Sequence, residues 1–194
     1  MKQISFLSTM LLAATLLSAT PSFITVQPAT QTVIVGQTVS FDLLLNGVTD
    51  LVAWQVDLAY NPSVLSLTAI LYGSLLTTVS QEDQLVPNID NTAGLVSRIG
   101  AYLLDFSAGG FTGSGQLVSL EFLAVGVGQS LISPLNVILL DSTFADILND
   151  QSLAQQGIIT VIPAATSEVP EPATLCLSAL SLGVLALVKR SRIS

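Results

Sequence analysis

The chain has 194 residues, a formal net charge of −8, no histidine and one cysteine; 51% of its residues are hydrophobic and only 9% charged. That length suits one core-bearing domain with short appendages. From Thr20 to Ser167, eleven acidic residues face Arg98 alone, which excludes nucleic acid as a partner because such a surface cannot displace the counterions of a phosphate backbone.

The missing histidine removes the commonest general base and the commonest transition-metal ligand. Cys176 lies in a C-terminal apolar run, so the body can form no internal disulfide and is held by its core.

Residues 1–19 place Lys2 before an apolar stretch, Ile4 to Leu17, that ends in Leu17-Ser18-Ala19. A charged start, a short apolar middle and small residues at the end predict a signal peptide cleaved after Ala19. Leu17 is bulky for its place before the cut, and an uncleaved N-terminal anchor is the alternative.

Residues 20–165 read as one all-β domain. Short apolar runs rich in β-branched residues alternate with Gly, Pro, Asn and Asp, and no helical period is sustained. Nine strands are predicted: Phe23 to Gln27, Thr32 to Val35, Val39 to Leu45, Leu51 to Tyr60, Val64 to Ile70, Leu95 to Leu103, Val118 to Ala124, Leu135 to Leu140 and Ile158 to Ile162. In the fourth, Val52, Trp54, Val56, Leu58 and Tyr60 share one face, while Ala53, Gln55, Asp57 and Ala59 take the other. Turns are expected at Val35-Gly36-Gln37, Asn46-Gly47, Asn61-Pro62, Asn91 to Gly94 and the glycine-rich stretch Gly109 to Gly115.

Three of these segments carry a family resemblance. Val35-Gly36-Gln37-Thr38-Val39, the run from Leu51 to Leu65, and Gly115 to Phe122 resemble the cohesin family, over roughly residues 23 to 162. The resemblance implies a nine-stranded jelly-roll β-sandwich, in the superfamily that includes cellulose-binding modules, and an adhesive role: cohesins bind dockerin modules through one sheet face. Aligned by Tyr60-Asn61-Pro62, the outward positions that carry Asn and Asp in dockerin-binding cohesins hold Ala53 and Gln55 here, which argues against a conventional dockerin partner.

The same superfamily link raises carbohydrate binding as the alternative, which needs exposed aromatic faces. Trp54 shares its face with apolar neighbours and is expected in the core. Tyr60, Tyr72 and Tyr102 are the candidate ligand contacts. Catalysis is not expected: Glu82-Asp83 and the acids Asp141, Asp146 and Asp150 read as solvated loop residues, and no histidine or body lysine stands ready to activate a serine. No cofactor is expected. Oxygen ligands are the only metal donors available, near Asp141 to Asp146 and Asn149-Asp150, and would select Ca²⁺ if any metal.

At the C-terminal end (166–194), Val169-Pro170-Glu171-Pro172-Ala173-Thr174 precedes an apolar run, 173–188, and the basic tail Lys189-Arg190-Ser191-Arg192. The charge-free stretch from Leu175 to Val188 makes a helix about 21 Å long, against a hydrocarbon core of roughly 30 Å, a marginal transmembrane span. The basic cluster keeps the terminus cytoplasmic. Pro-Glu-Pro, helix and Arg-rich end in this order resemble the PEP-CTERM sorting signal, which implies recognition by a membrane-embedded exosortase. The expectation is a non-catalytic adhesive or matrix module. It is exported across the inner membrane of a Gram-negative bacterium, transiently anchored by its tail, and delivered to the cell surface or the extracellular polysaccharide layer, where its partner is a protein or a polysaccharide.

Overall fold

Eleven strands and one short 3-10 turn make up the described residues, 23–147 and 154–165, of a computed structural model. The predicted signal peptide and sorting segment lie outside them. The chain divides into one unit through Ile162 and another from Pro163 on, and every strand belongs to the first. Among the described residues no helix is long and apolar enough to cross a membrane.

The strands are β1 (Phe23–Gln27), β2 (Thr30–Ile34), β3 (Thr38–Ala59), β4 (Leu65–Tyr72), β5 (Glu82–Gln84), β6 (Asn88–Asp90), β7 (Leu95–Leu103), β8 (Phe111–Ala124), β9 (Gly128–Asp141), β10 (Ala154–Gln155) and β11 (Gly157–Ile162). They form a sandwich whose two layers share β3. Its first half runs antiparallel to β1 and β8; β8 carries β4, and β10 lies parallel to β1. Its second half lies between β7 and β9; β9 leads on to β11, β11 pairs in parallel with β2, and β5 and β6 extend β7.

The predicted alternation is what packs the layers together. Val39, Phe41, Leu43 and Leu45 of the first half of β3 face Val52, Trp54, Val56 and Leu58 of the second half through the core, with Leu120 and Phe122 of β8 completing it. Phe122 is edge-on to both Phe41 and Tyr60, with ring centroids 6.3 and 5.1 Å away. Period-two burial on both inner faces is the pattern that two face-packed sheets require.

Two expectations are corrected. The Asn46-Gly47 turn does not end a strand, so the predicted strands Val39 to Leu45 and Leu51 to Tyr60 are one. Gly47 at φ 67° and Asp50 at φ 61° carry the chain from one layer to the other, and the ladder to β8 shifts register there. Side chains of β8 supply the missing partners: Gly47 N donates to Ser114 Oγ (2.9 Å) and Asp50 N to Thr112 Oγ1 (3.0 Å). A strand that changes sheets through bulges is how sandwich corners are made.

The stretch Gly109 to Gly115 is likewise no simple turn, because β8 starts at Phe111. A Cβ on Gly110 would lie 2.6 Å from Leu51 O, so glycine there admits close backbone approach. β5, β6 and β10 were not predicted; they are two- and three-residue pairings with no alternation to read.

Candidate interaction site

The two outer faces of the sandwich differ in chemistry. On the β1-β3-β4-β8 layer the outward side chains are largely polar and tied to one another: Ser40 and Ser119 share a hydrogen bond (2.9 Å), Gln116 Nε2 donates to Asp42 (3.0 Å), and Thr68 Oγ1 donates to the Glu121 carbonyl (2.9 Å). On the β7-β3-β9 layer they are mostly apolar, and they enclose a groove of about 520 Å³.

Register explains the groove. Ala53 of β3 lies between Tyr102 of β7 and Leu140 of β9; two residues further on, Gln55 lies between Gly100 and Ile138. The small side chain of Ala53 lowers the floor between the larger side chains of the neighbouring strands, and the lack of a side chain at Gly100 makes room for Leu85, whose Cδ1 would lie 3.0 Å from a Cβ there. Leu85, from the link between β5 and β6, lines the same groove.

One end is closed by loops. Leu104 and Phe106 come from the β7-β8 loop and Phe144 from the turn after β9; the two phenylalanine rings meet edge to face, 5.6 Å apart at 88°. Phe144 is 63% exposed and Leu104 57%, with Phe144 at φ 61°. A bulky residue in the left-handed region signals a position fixed by its surroundings.

Beyond Gln55, next along β3, stands a polar knot. Asp57 accepts hydrogen bonds from Arg98 N (2.8 Å) and Asn136 Nδ2 (2.9 Å). Arg98 and Asn136 are left-handed, at φ 63° and 46°, where bulges shift the register of β7 and β9 against β3.

The three tyrosines offered as ligand contacts are not brought together. Tyr60 is corrected: it is 6% exposed, packs on Phe122 and donates through its hydroxyl to Asn91, so it is a core residue. Its place on the Trp54 face put it inward; proximity to the strand end did not free it. Tyr72 is half-buried against Trp54, ring centroids 6.1 Å apart, and donates to the Leu85 carbonyl (3.1 Å). Burial raises the hydroxyl pKa of both. Only Tyr102 is open, and its hydroxyl donates to Asp83 (2.9 Å); that carboxylate raises its pKa. Trp54, expected in the core, is 4% exposed.

The acids near β9 serve the loops. Asp141 Oδ1 accepts from Thr143 N, Thr143 Oγ1 and Ala145 N (2.8, 2.6 and 3.0 Å), and these bonds, the Thr143 side chain first, hold its pKa below the usual value. Asp146 accepts from Leu139 N at 3.4 Å. Among the described residues no cluster of three or more His, Cys, Asp or Glu is placed to hold a metal. Asn149, Asp150, Ala19, the motif Val169 to Thr174 and the basic residues Lys189, Arg190 and Arg192 fall outside the described residues.

Sequence reasoning missed Leu104, Phe106 and Phe144. They lie in irregular loops where no period marks them; the one available signal is a large aromatic inside the polar run Asp141-Ser142-Thr143-Phe144-Ala145-Asp146.

Two packed β layers with an apolar groove on one outer face define a β-sandwich interaction module. The Cohesin domain model matches residues 24–162, and the chain belongs to that family.

Its fold is similar to that of a type II cohesin domain from the cellulosome of Acetivibrio cellulolyticus, at TM-score 0.62 and 18% identity, over 72% of this chain and 95% of that one. A cohesin of Clostridium acetobutylicum determined in solution is 20% identical, with TM-score 0.58 over 73% of this chain and 90% of that one. A type I cohesin–dockerin complex of Clostridium thermocellum gives TM-score 0.59 and 15% identity, over 74% and 95%. No curated protein matches the sequence. Cohesin domains are non-enzymatic protein-interaction modules, and this one is non-catalytic.

Proposed function

We propose that the chain is an exported docking module that binds a protein partner in the groove on the β7-β3-β9 face. The observation that carries this reading is the asymmetry between the two outer faces. One satisfies its own polar groups, while the other exposes Leu104, Phe144 and Ile138 around a floor of Ala53 and Gln55. Exposed apolar concavity with a polar margin is what a desolvated interface core needs.

The face is also the one named by the cohesin resemblance, since Ala53 and Gln55 lie on its floor. With those two positions small or neutral, affinity would come from apolar burial in the groove. Charge narrows the partner further. Among the described residues Arg98 is the only basic one, so a partner surface with Lys or Arg is steered inward and an acidic one is repelled.

Polysaccharide is the weaker reading. A sugar platform needs open, coplanar rings, whereas Phe106 and Phe144 stand edge to face, Tyr60 is buried and Tyr102 is held by Asp83. The signal peptide pattern and the Pro-Glu-Pro tail support export and exosortase sorting, with delivery to the cell surface or the matrix around it.

The test uses a photo-crosslinking amino acid at position 104 in the groove and, separately, at position 40 on the polar face. In cells making the full chain, a discrete protein adduct is expected from position 104 alone, and Phe144→Asp should abolish it. Equal adducts from both positions, or none from 104 together with specific signals on a glycan array, would overturn the docking reading.

A further inference from the structure

The groove's aromatic end is assembled from two loops that are distant in sequence, and one carboxylate joins them. Asp50 lies in the layer-crossing segment of β3. Its Oδ1 accepts from Gly110 N at 2.6 Å, at the end of the loop that carries Leu104 and Phe106. Its Oδ2 accepts from Ser142 N at 3.2 Å and from Ser142 Oγ at 2.5 Å, in the turn that carries Phe144.

The surroundings are shaped to this contact. Gly110 presses against the Asp50 backbone, where a Cβ would come within 2.6 Å of Asp50 C. The Asp50 main chain is held at φ 61°, with its own N–H on Thr112 Oγ1, so the side chain leaves the strand between the two loops. Hydrogen bonds to an ionised acceptor are the stronger kind, and both oxygens are engaged.

We propose that Asp50 is the positioning residue of the docking groove: its carboxylate clasps the β7-β8 loop to the turn after β9 and thereby sets Phe106 against Phe144 as the groove's end wall. The proposal rests on the docking reading and adds to it a residue that need not touch the partner. Without the clasp each loop keeps its local turns, such as Gly109 N to the Phe106 carbonyl and Phe144 N to the Asp141 carbonyl, and its root stays paired with Leu51 through Phe111 or Asp141, which leaves the Phe106–Phe144 ring contact to fix the loop bodies against each other.

The variants are chosen to spare the backbone. Asn and Gly both accept left-handed geometry, so Asp50→Asn and Asp50→Gly do not add the strain that alanine would. Asp50→Asn keeps an oxygen for Gly110 N and can donate its amide to Ser142 Oγ, but it loses the charge and leaves Ser142 N without its acceptor; Asp50→Gly holds neither loop.

The experiment uses the full chain carrying Cys176→Ser, with spin labels on the exposed Ala108→Cys and Ala145→Cys, which remove no side-chain hydrogen bond, and records the distance distribution between the loops. A single narrow distance is expected with Asp50, a broadened one with Asp50→Asn and the broadest with Asp50→Gly. Core unfolding, followed by Trp54 fluorescence, should shift far less than it does for a core truncation. The yield of the position-104 adduct should fall at least roughly tenfold in Asp50→Gly and partly recover in Asp50→Asn. An unchanged narrow distance in Asp50→Gly, or an undiminished adduct, would overturn the role of Asp50. Absence of any adduct in the unsubstituted protein would instead count against docking, and the spin-label distances would still decide whether Asp50 couples the loops.

Discussion

Replacing Tyr60 separates a core post from a surface ligand contact. The ring is 6% exposed and stands edge-on to Phe122 at 5.1 Å. Truncation to alanine removes the buried ring, that aromatic pair and the hydroxyl bond to Asn91 together. Large aromatic truncations in cores cost about 3–5 kcal/mol, and the pair accounts for about 0.5–1.5 kcal/mol beyond area burial.

Tyr60→Phe loses only the hydroxyl bond. Asn91 is itself exposed and stays bonded to Leu67 N and O (2.9 and 3.2 Å), so the expected loss is about 0.5–1.5 kcal/mol. Tyr102→Ala removes an exposed ring and a solvent-screened bond to Asp83, so its effect should be far smaller than that of Tyr60→Ala. Urea unfolding read through Trp54, the only tryptophan and a buried one, measures all three. At a slope of about 2 kcal/mol/M, Tyr60→Ala moves the midpoint by roughly 2 M and Tyr102→Ala by far less. Equal midpoints for Tyr60→Ala and the unsubstituted protein, with any ligand binding lost only in the former, would refute the packing argument.

Gly94 is at φ 67°, and a Cβ there would lie 2.2 Å from the Tyr60 carbonyl oxygen and 2.7 Å from Pro62 Cδ, so Gly94→Ala should cost more than about 2 kcal/mol in the same urea assay. Acid should weaken the fold through Asp50, Asp105 and Asp141, whose pKa values all lie below the ordinary 3.8: Ser142 lowers the first, Ser107 the second and Thr143 the third. In each case the stabilisation is complete above the unfolded pKa and lost as pH falls below about 4 through the folded values, so a thermal midpoint that is flat from pH 4 down to 2 would contradict these bonds. At the alkaline end the sign reverses. Tyr60 and Tyr72 have raised pKa values, so their contribution is complete below pH 10 and declines above it, and Tyr60→Phe should blunt that decline in a thermal melt.

Much of the sandwich is legible in the sequence because burial on one face enforces period two. Leu95–Leu103 matches its predicted bounds, and the Trp54 face was assigned inward from alternation alone. Where the chain changes layers, the same reasoning misleads. Asn46-Gly47 has the composition of a hairpin turn, yet it is a bulge in a continuous strand, since Ser114 and Thr112 on β8 replace the ladder bonds that a turn would have left to water. That compensation comes from residues more than sixty positions away, and no local pattern contains it.

The groove was illegible for a related reason. Its floor, Ala53 and Gln55, was named as outward, but its end wall is built by Asp50 acting on Gly110 and Ser142, separated from it by 60 and 92 positions. A lone aspartate before an apolar strand reads as a solvated turn acid until both loops are in view.

The uneven distribution of polar satisfaction bears on what could keep an acidic domain with exposed apolar surface from associating with itself. On the β1-β3-β4-β8 face, hydroxyls and carboxylates are matched to one another, so little is gained by covering them. On the groove face, apolar burial would favour two copies meeting as readily as one copy meeting a partner. Asp83 and Asp105 beside the groove, within a domain that has one compensating cation, oppose that meeting, because two like-charged rims brought within a Debye length of about 8 Å repel. The same field favours a partner of opposite sign. Under the proposed docking role, charge would separate self from partner at a site where apolar contact alone does not, so that Ala53 and Gln55 could stand on the floor without leaving the face indiscriminate.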